Sequence, residues 1–182
     1  MGQNNQAKRK AKKRKKLAKQ RKKLPMAGAA SVRACDGCTA CCSVFGVEEI
    51  DKEPWVRCEH LVERGCSIYE TRPKHCHGFY CLWQSGIGKM ENRPDKLGVV
   101  FAHTNGKFEA TGETEVQAYE IDPKGFENPD VVKIAGDLAK KKILIIGHTH
   151  GGKTFRFMGP VGKIRKAKTW VEENKEPDVE IP

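Results

Sequence analysis

The sequence predicts an α+β fold in three parts, and three observations predict it. All eight cysteines fall between Cys35 and Cys81. Residues 97–182 hold no cysteine and alternate between apolar patterns of period two and period 3.6, strands and helices in turn. Residues 1–34 hold thirteen Lys or Arg and no acid. Those thirteen exceed the net charge of +11, so residues 35–182 carry a net −2. The parts are a Lys/Arg-rich tail and linker at 1–34, a cysteine-rich module at 35–83 and a small α+β unit at 97–182. A length of 182 residues fits one ordinary domain, or two small ones with tails.

The tail carries "KRKAKKRKKLAKQRKK" at residues 8–23. Its residues form helices well, but Leu17, Leu24 and a few alanines are all it has to bury, and like charges at i, i+4 repel. Disorder is the expectation. The stretch reads as a solubilising tail or as a contact for RNA or the ribosome, through Lys/Arg–phosphate pairing and counterion release. An anionic membrane surface is a third partner, reached only electrostatically because the tail has no apolar face to insert. Residues 25–34, "PMAGAASVRA", read as a small-residue linker. No apolar stretch is long enough for a transmembrane segment, and no apolar h-region follows the basic start. The expected compartment is the cytoplasm.

The cysteine block reads "CDGCTACCSVFGVEEIDKEPWVRCEHLVERGCSIYETRPKHCHGFYC". A C-x-x-C turn folds the chain back so that two thiolates meet one metal ion. Here such spacings are compressed into C-x-x-C-x-x-C-C, with further cysteines downstream. In a reducing compartment this clustering points to metal rather than disulfides. The candidate ligands are Cys35, Cys38, Cys41, Cys42, Cys58, Cys66, Cys76 and Cys81. They would serve two Zn²⁺ as two Cys₄ sites, or one iron–sulfur cluster with spare cysteines. The neighbours Cys41 and Cys42 point in different directions on a helix or strand. Either one ligates while the other packs, or each serves a different metal. His60, His75 and His77 read as surface or supporting groups, since cysteines already suffice. Glu48, Glu49, Asp51 and Glu53 read as solvated surface, and no residue stands out as catalytic. Arg72 either offsets thiolate charge or ties the turn before Pro73.

The block resembles the C-x-x-C-x-x-C-C family of zinc- or iron-chelating proteins, also called YkgJ-like cysteine-cluster proteins. The matching residues are Cys35, Cys38, Cys41, Cys42 and Cys58, then Cys66, Tyr69, Arg72, Pro73 and Cys76 in "GCSIYETRPKHC". The family commonly has Arg after the cysteine that matches Cys76; this chain has His77. Cys81 lies outside the family pattern. "RPDKLGVV" and "MGP" also look like stretches of longer bacterial members. The resemblance implies metal binding. A related module occurs in flagellin lysine methylases, but this chain shows no methyl-donor-binding fingerprint.

In the last unit, "LGVVFAHT" (97–104) and "EVQAYEI" (115–121) read as strands. "NPDVVKIAGDLAKKK" (128–142) carries a helix capped by Asn128 or Asp130, with Val131, Ile134, Ala135 and Leu138 on one face. "ILIIG" (143–147) is a buried strand and "KTFRFM" (153–158) an alternating one. "GKIRKAKTWVEENK" (162–175) reads as a terminal helix with Ile164, Ala167 and Val171 inward.

"GHTHGGKT" (147–154) matches G-x-x-x-x-G-K-[ST], the letters of a phosphate-binding loop. Such a loop must open a helix whose amides hold the phosphates. Here period two continues after Thr154, so residues 148–152 read as a hairpin turn with glycines at positive φ. The H-x-H of His148 and His150 would share one face on a strand and reach a metal; in a turn the two are exposed polar residues. The expected function is a cytoplasmic metal-binding protein holding an iron–sulfur cluster or zinc, in a redox or metal-handling role. The alternatives are a zinc-stabilised interaction module docked on RNA or the ribosome, and an enzyme, either a P-loop NTPase or methylase-like.

Overall fold

A computed structural model of the protein describes residues 33–35, 37–63, 65–104 and 108–174. The expectations for the tail, including the polybasic stretch 8–23, lie outside these residues. The cysteine segment is built from short pieces. Helix α1 (Ala40–Val44) is followed by a 3₁₀ turn at Glu48–Ile50 and a hairpin of β1 (Leu61–Val62) and β2 (Gly65–Cys66). A second 3₁₀ turn at Tyr69–Thr71 and helix α2 (Lys74–Gly78) complete it. Five-residue helices and two-residue strands make too few backbone bonds to persist alone. Their anchor is apolar: Ala40 and Val44 of α1 bury together with Cys81, Trp83 and Val100. The segment thus packs directly on the unit that follows.

That unit opens with α3 (Pro94–Leu97). Proline near the first helical position lacks an N–H that would have no partner there anyway. Gly98 stops the helix at φ +78°. The strands are β3 (Val99–His103), β4 (Val116–Glu120), β5 (Ile145–His148) and β6 (Phe155–Met158), side by side in that order. β3–β4 and β5–β6 are antiparallel, whereas β4–β5 is parallel. A parallel pair needs a crossover, here α4 (Pro129–Lys140). The Asn128 side chain caps α4 by accepting the Asp130 N–H at 3.0 Å. Helix α5 (Val161–Asn174) ends the described chain.

Alternation along the strands separates two apolar faces. Val99, Phe101, Val116, Ala118 and Ile145 meet Val131, Ala135 and Leu138 of α4. Gly147 lies on this face because a Cβ there would stand 2.8 Å from Cζ of Phe126. On the opposite face Leu144 and Ile146 pack against Ala167 of α5, and Val100 packs under α1. Helix α5 and the cysteine segment therefore share one side of the sheet.

The α+β class and all six regular elements expected in 97–182 are present, with shifted ends. The first strand starts at Val99 because the Pro94 helix and Gly98 occupy the positions before it. The crossover helix ends at Lys140, and the last helix begins at Val161. Lys153 and Thr154 lead into β6, so "GHTHGGKT" closes a hairpin and opens no helix. Thr149 N–H donates to Thr154 O at 3.0 Å and Gly152 N–H to Thr149 O at 2.8 Å. Gly151 and Gly152 supply φ of +82° and +75°. A Cβ on Gly152 would also collide with the Trp55 indole, which covers this hairpin from the cysteine segment.

Candidate metal centre

The thiols are collected by local backbone bonds. Cys38 N–H donates to Cys35 O at 2.9 Å and closes the first C-x-x-C turn, with Gly37 at φ +74°. Gly65 of the hairpin lies against Gly37, so a Cβ on Gly65 would stand 3.9 Å from Gly37 Cα. Cys41 and Cys42 ride on α1, whose buried Ala40 and Val44 fix its roll. Cys58 N–H donates to Cys42 O, and Leu61 N–H to Cys58 O, both at 3.1 Å. Cys66 lies opposite Leu61 in the hairpin. Cys76 is carried by α2. Cys81 pairs with Ala102 at the sheet edge, and the next N–H, that of Leu82, donates to Phe101 O at 2.8 Å.

The electrostatics show which sulfurs are neighbours. Burial pushes the Cys35 thiol up; Arg72 opposes this, Cys42 adds to it and Arg93 opposes it again. Burial pushes Cys38 up to about 11, against N–H groups of Ala40 and Asp95 that favour its thiolate. The Asp95 carboxylate, also at Cys38, disfavours that thiolate. Cys41 donates its S–H to Cys42, which holds Cys41 protonated and makes Cys42 the first of the pair to ionise. Lys52 lends positive charge to Cys42. Burial raises Cys76, and its charged neighbours Cys42, Cys58, Cys66 and Glu49 raise it further. Burial likewise raises Cys81.

Three cations flank the thiols. Lys52 Nζ donates to Phe45 O at 2.5 Å and Glu53 O at 3.0 Å, which holds it near Cys58, Cys42, Cys41 and Cys76. Arg72 donates to Tyr69 O at 2.6 Å with its guanidinium 3.9 Å from the Tyr69 ring centroid. It therefore ties the turn and also reaches Cys35 electrostatically. Arg93 grips Asp95 through two bonds of 2.7 and 2.8 Å. Lys52, Arg93 and Asp95 are the site residues that sequence reasoning missed. An Arg-Pro-Asp run before a buried strand was a signal for the last two; Lys52 had none.

All eight cysteines are free thiols. Their donor chemistry fits a thiolate-liganded ion or cluster. In this thiol form, no group of three or more His, Cys, Asp or Glu side chains among the described residues is arranged to hold an ion. Among the candidate carboxylates, Glu49 lies close enough to raise the Cys76 pKa. Glu48, Glu49, Asp51 and Glu53 are exposed, as are His75 and His77, while His60 is half-buried. Glu49 accepts the His75 N–H at 3.3 Å.

The H-x-H pair divides. His148 lies in β5, its ring stacked on Tyr119 at 4.6 Å and edge-on to Phe155 at 4.9 Å. Its Nε2–H donates to Gln117 Oε1 at 2.6 Å, and burial pushes its pKa down to about 4. His150 is exposed beside Trp55, and its backbone N–H donates to the buried Glu120 at 2.9 Å. These contacts tie the sheet to the hairpin and to the cysteine segment.

No family model, curated protein or solved structure matches this chain. Among the described residues no helix is long and apolar enough to cross a membrane.

Proposed function

We propose that the protein binds metal through its clustered cysteines, as an iron–sulfur cluster or as zinc, in the reducing cytoplasm. One observation carries this reading: thiols far apart in sequence, from Cys35 to Cys81, become electrostatic neighbours beside Lys52, Arg72 and Arg93. Thiolate ligation accumulates negative charge, and such cations offset it. The likeness of the block to C-x-x-C-x-x-C-C chelating proteins supports the same reading. When bound, the metal supplies a redox couple if it is an iron–sulfur cluster, or a fixed cross-link if it is zinc.

A second reading, zinc as a staple for an interaction module, is favoured by the shortness of the elements in the cysteine segment. Segments of this size depend on such cross-links. Metal removal separates the roles. If zinc is a staple, chelation under reducing conditions melts the cysteine segment, seen as lost amide-exchange protection across 38–80, while the sheet stays protected. Unchanged protection after chelation would rule the staple out.

A further inference from the structure

A surface loop holds a cation in a way that neither the sheet nor the thiols require. The guanidinium of Arg33 donates to four successive backbone carbonyls. Its Nη2 reaches Gly86 O at 3.3 Å and Gly88 O at 2.9 Å, and its Nη1 reaches Ile87 O and Lys89 O, each at 3.3 Å. The same group lies 5.3 Å from the ring centroid of Trp83. Neutral acceptors in a row, together with an aromatic face, suit a planar cation with many donors. An extended chain points successive carbonyls to opposite sides. Here Gly86 at φ +91° and Gly88 at φ +77° break that alternation, and all four reach one group.

Bonds that do not involve Arg33 hold this shape. Gly86 N–H donates to Trp83 O at 3.0 Å and Ile87 N–H to Leu82 O at 2.9 Å. The Trp83 indole N–H donates to Lys89 O at 3.0 Å and Met90 O at 3.2 Å. Lys89 N–H donates to Asn92 Oδ1 at 2.8 Å, and Asn92 Nδ2 donates to Asp130 Oδ2 on α4 at 2.8 Å. Trp83 and Asn92 are buried, so the frame of the loop is set by the core. Its rim is open: Gly86, Gly88 and Lys89 are exposed. The Lys89 ammonium is drawn to Glu91 at 3.5 Å and to Asp130 at 4.0 Å, which offsets the like charge beside the guanidinium. We propose that loop 86–89 with Trp83 is a guanidinium-binding site, that Arg33 closes it in cis, and that the ligand it takes in trans is an arginine side chain. Arg33 stands two residues before Cys35, at the root of the basic tail. One contact therefore anchors the chain that enters the first C-x-x-C turn and keeps the site closed. The site does not depend on bound metal.

The test is a titration of the full chain, as purified, with Nα-acetyl-arginine amide, whose only charge is the guanidinium. The readout is the NMR signals of the Gly86 and Gly88 backbone N–H groups and of the Trp83 indole N–H. In Arg33→Ala these signals should shift saturably. Wild type should need several-fold more ligand, because the tethered Arg33 competes from within the chain. Nα-acetyl-lysine amide should give no saturable shift over the range that saturates the arginine ligand, since a compact ammonium cannot span the row of carbonyls. No saturable shift in Arg33→Ala, or an equal response in wild type and variant, reduces Arg33 to a surface contact and overturns the proposal. An equal response to the lysine ligand overturns the guanidinium assignment. Saturation of the same signals by Ca²⁺ in place of the arginine ligand does so too, and would make the loop a carbonyl-lined metal site. Where Arg33→Ala fails to fold, Arg33→Met, which keeps an unbranched apolar stem, takes its place. In wild type, separate signals for the two Nη groups of Arg33 support the latch, and one averaged signal contradicts it.

Discussion

Single side chains set how this fold answers to pH. His148 is held between Tyr119 and Phe155, and its pKa falls from the ordinary 6.5 to about 4. Folding therefore favours the neutral ring. The unfolded chain takes up this proton as pH drops through 6.5, and the folded chain only near 4. The contribution is full above pH 6.5 and drains as pH falls towards 4, by at most about 3 kcal/mol. Urea midpoints for wild type and His148→Phe should diverge across that window, the variant losing less stability on acidification. Parallel curves would show that burial of His148 does not govern this slope. The same ring explains the fate of the H-x-H motif. Two histidines two apart share a face only while both stay on a strand; β5 ends at His148, and His150 belongs to the turn.

Helices and hairpins show which parts of the sequence were legible. Asn128 or Asp130 beside Pro129 marked a helix start, and in the structure the cap is Asn128, which is used twice. Its Oδ1 caps Asp130, and its Nδ2 donates to Leu97 O at 3.1 Å. Asn128→Ala should cost about 1–2 kcal/mol in chemical denaturation, the range for a lost cap plus one side-chain bond. A change below a few tenths would mean that the cap is dispensable. The hairpin at 147–154 was legible because alternation continues through Phe155 and Phe157. Lys153 is exposed there and opens no helix that could hold phosphate. Wild type and Lys153→Ala should therefore give the same baseline signal in a nucleotide-binding titration; saturable binding lost in the variant would restore the P-loop reading. Strand order was not legible, because period two marks a strand without naming its partner. The parallel β4–β5 pair follows from where α4 lands, a tertiary outcome.

Across the whole molecule, one sheet carries two jobs. One face buries α4 against the main core. The other is divided between α5 and the thiol-bearing segment, joined through Ala40, Val44, Trp83 and Val100. The concentration of cysteines was plain in the sequence. Their grouping was not, because it depends on contacts such as Gly37 against Gly65 and Cys81 beside Ala102. Of the flanking charges, Arg72 was singled out in the sequence, whereas Lys52 and Arg93 were not: Arg93 reaches Cys35 from the loop that starts α3, far along the chain. The basic stretch 8–23 remains an expectation of an RNA or ribosome contact, outside the described residues. The proposed function is that the clustered free thiols hold metal. The direct measurement is elemental analysis with a visible spectrum on full-length protein purified without oxygen. Bound metal is the expected result, either iron with sulfide in a brown protein or zinc in a colourless one. Folded protein that carries neither, and takes up neither on anaerobic reconstitution, would contradict it.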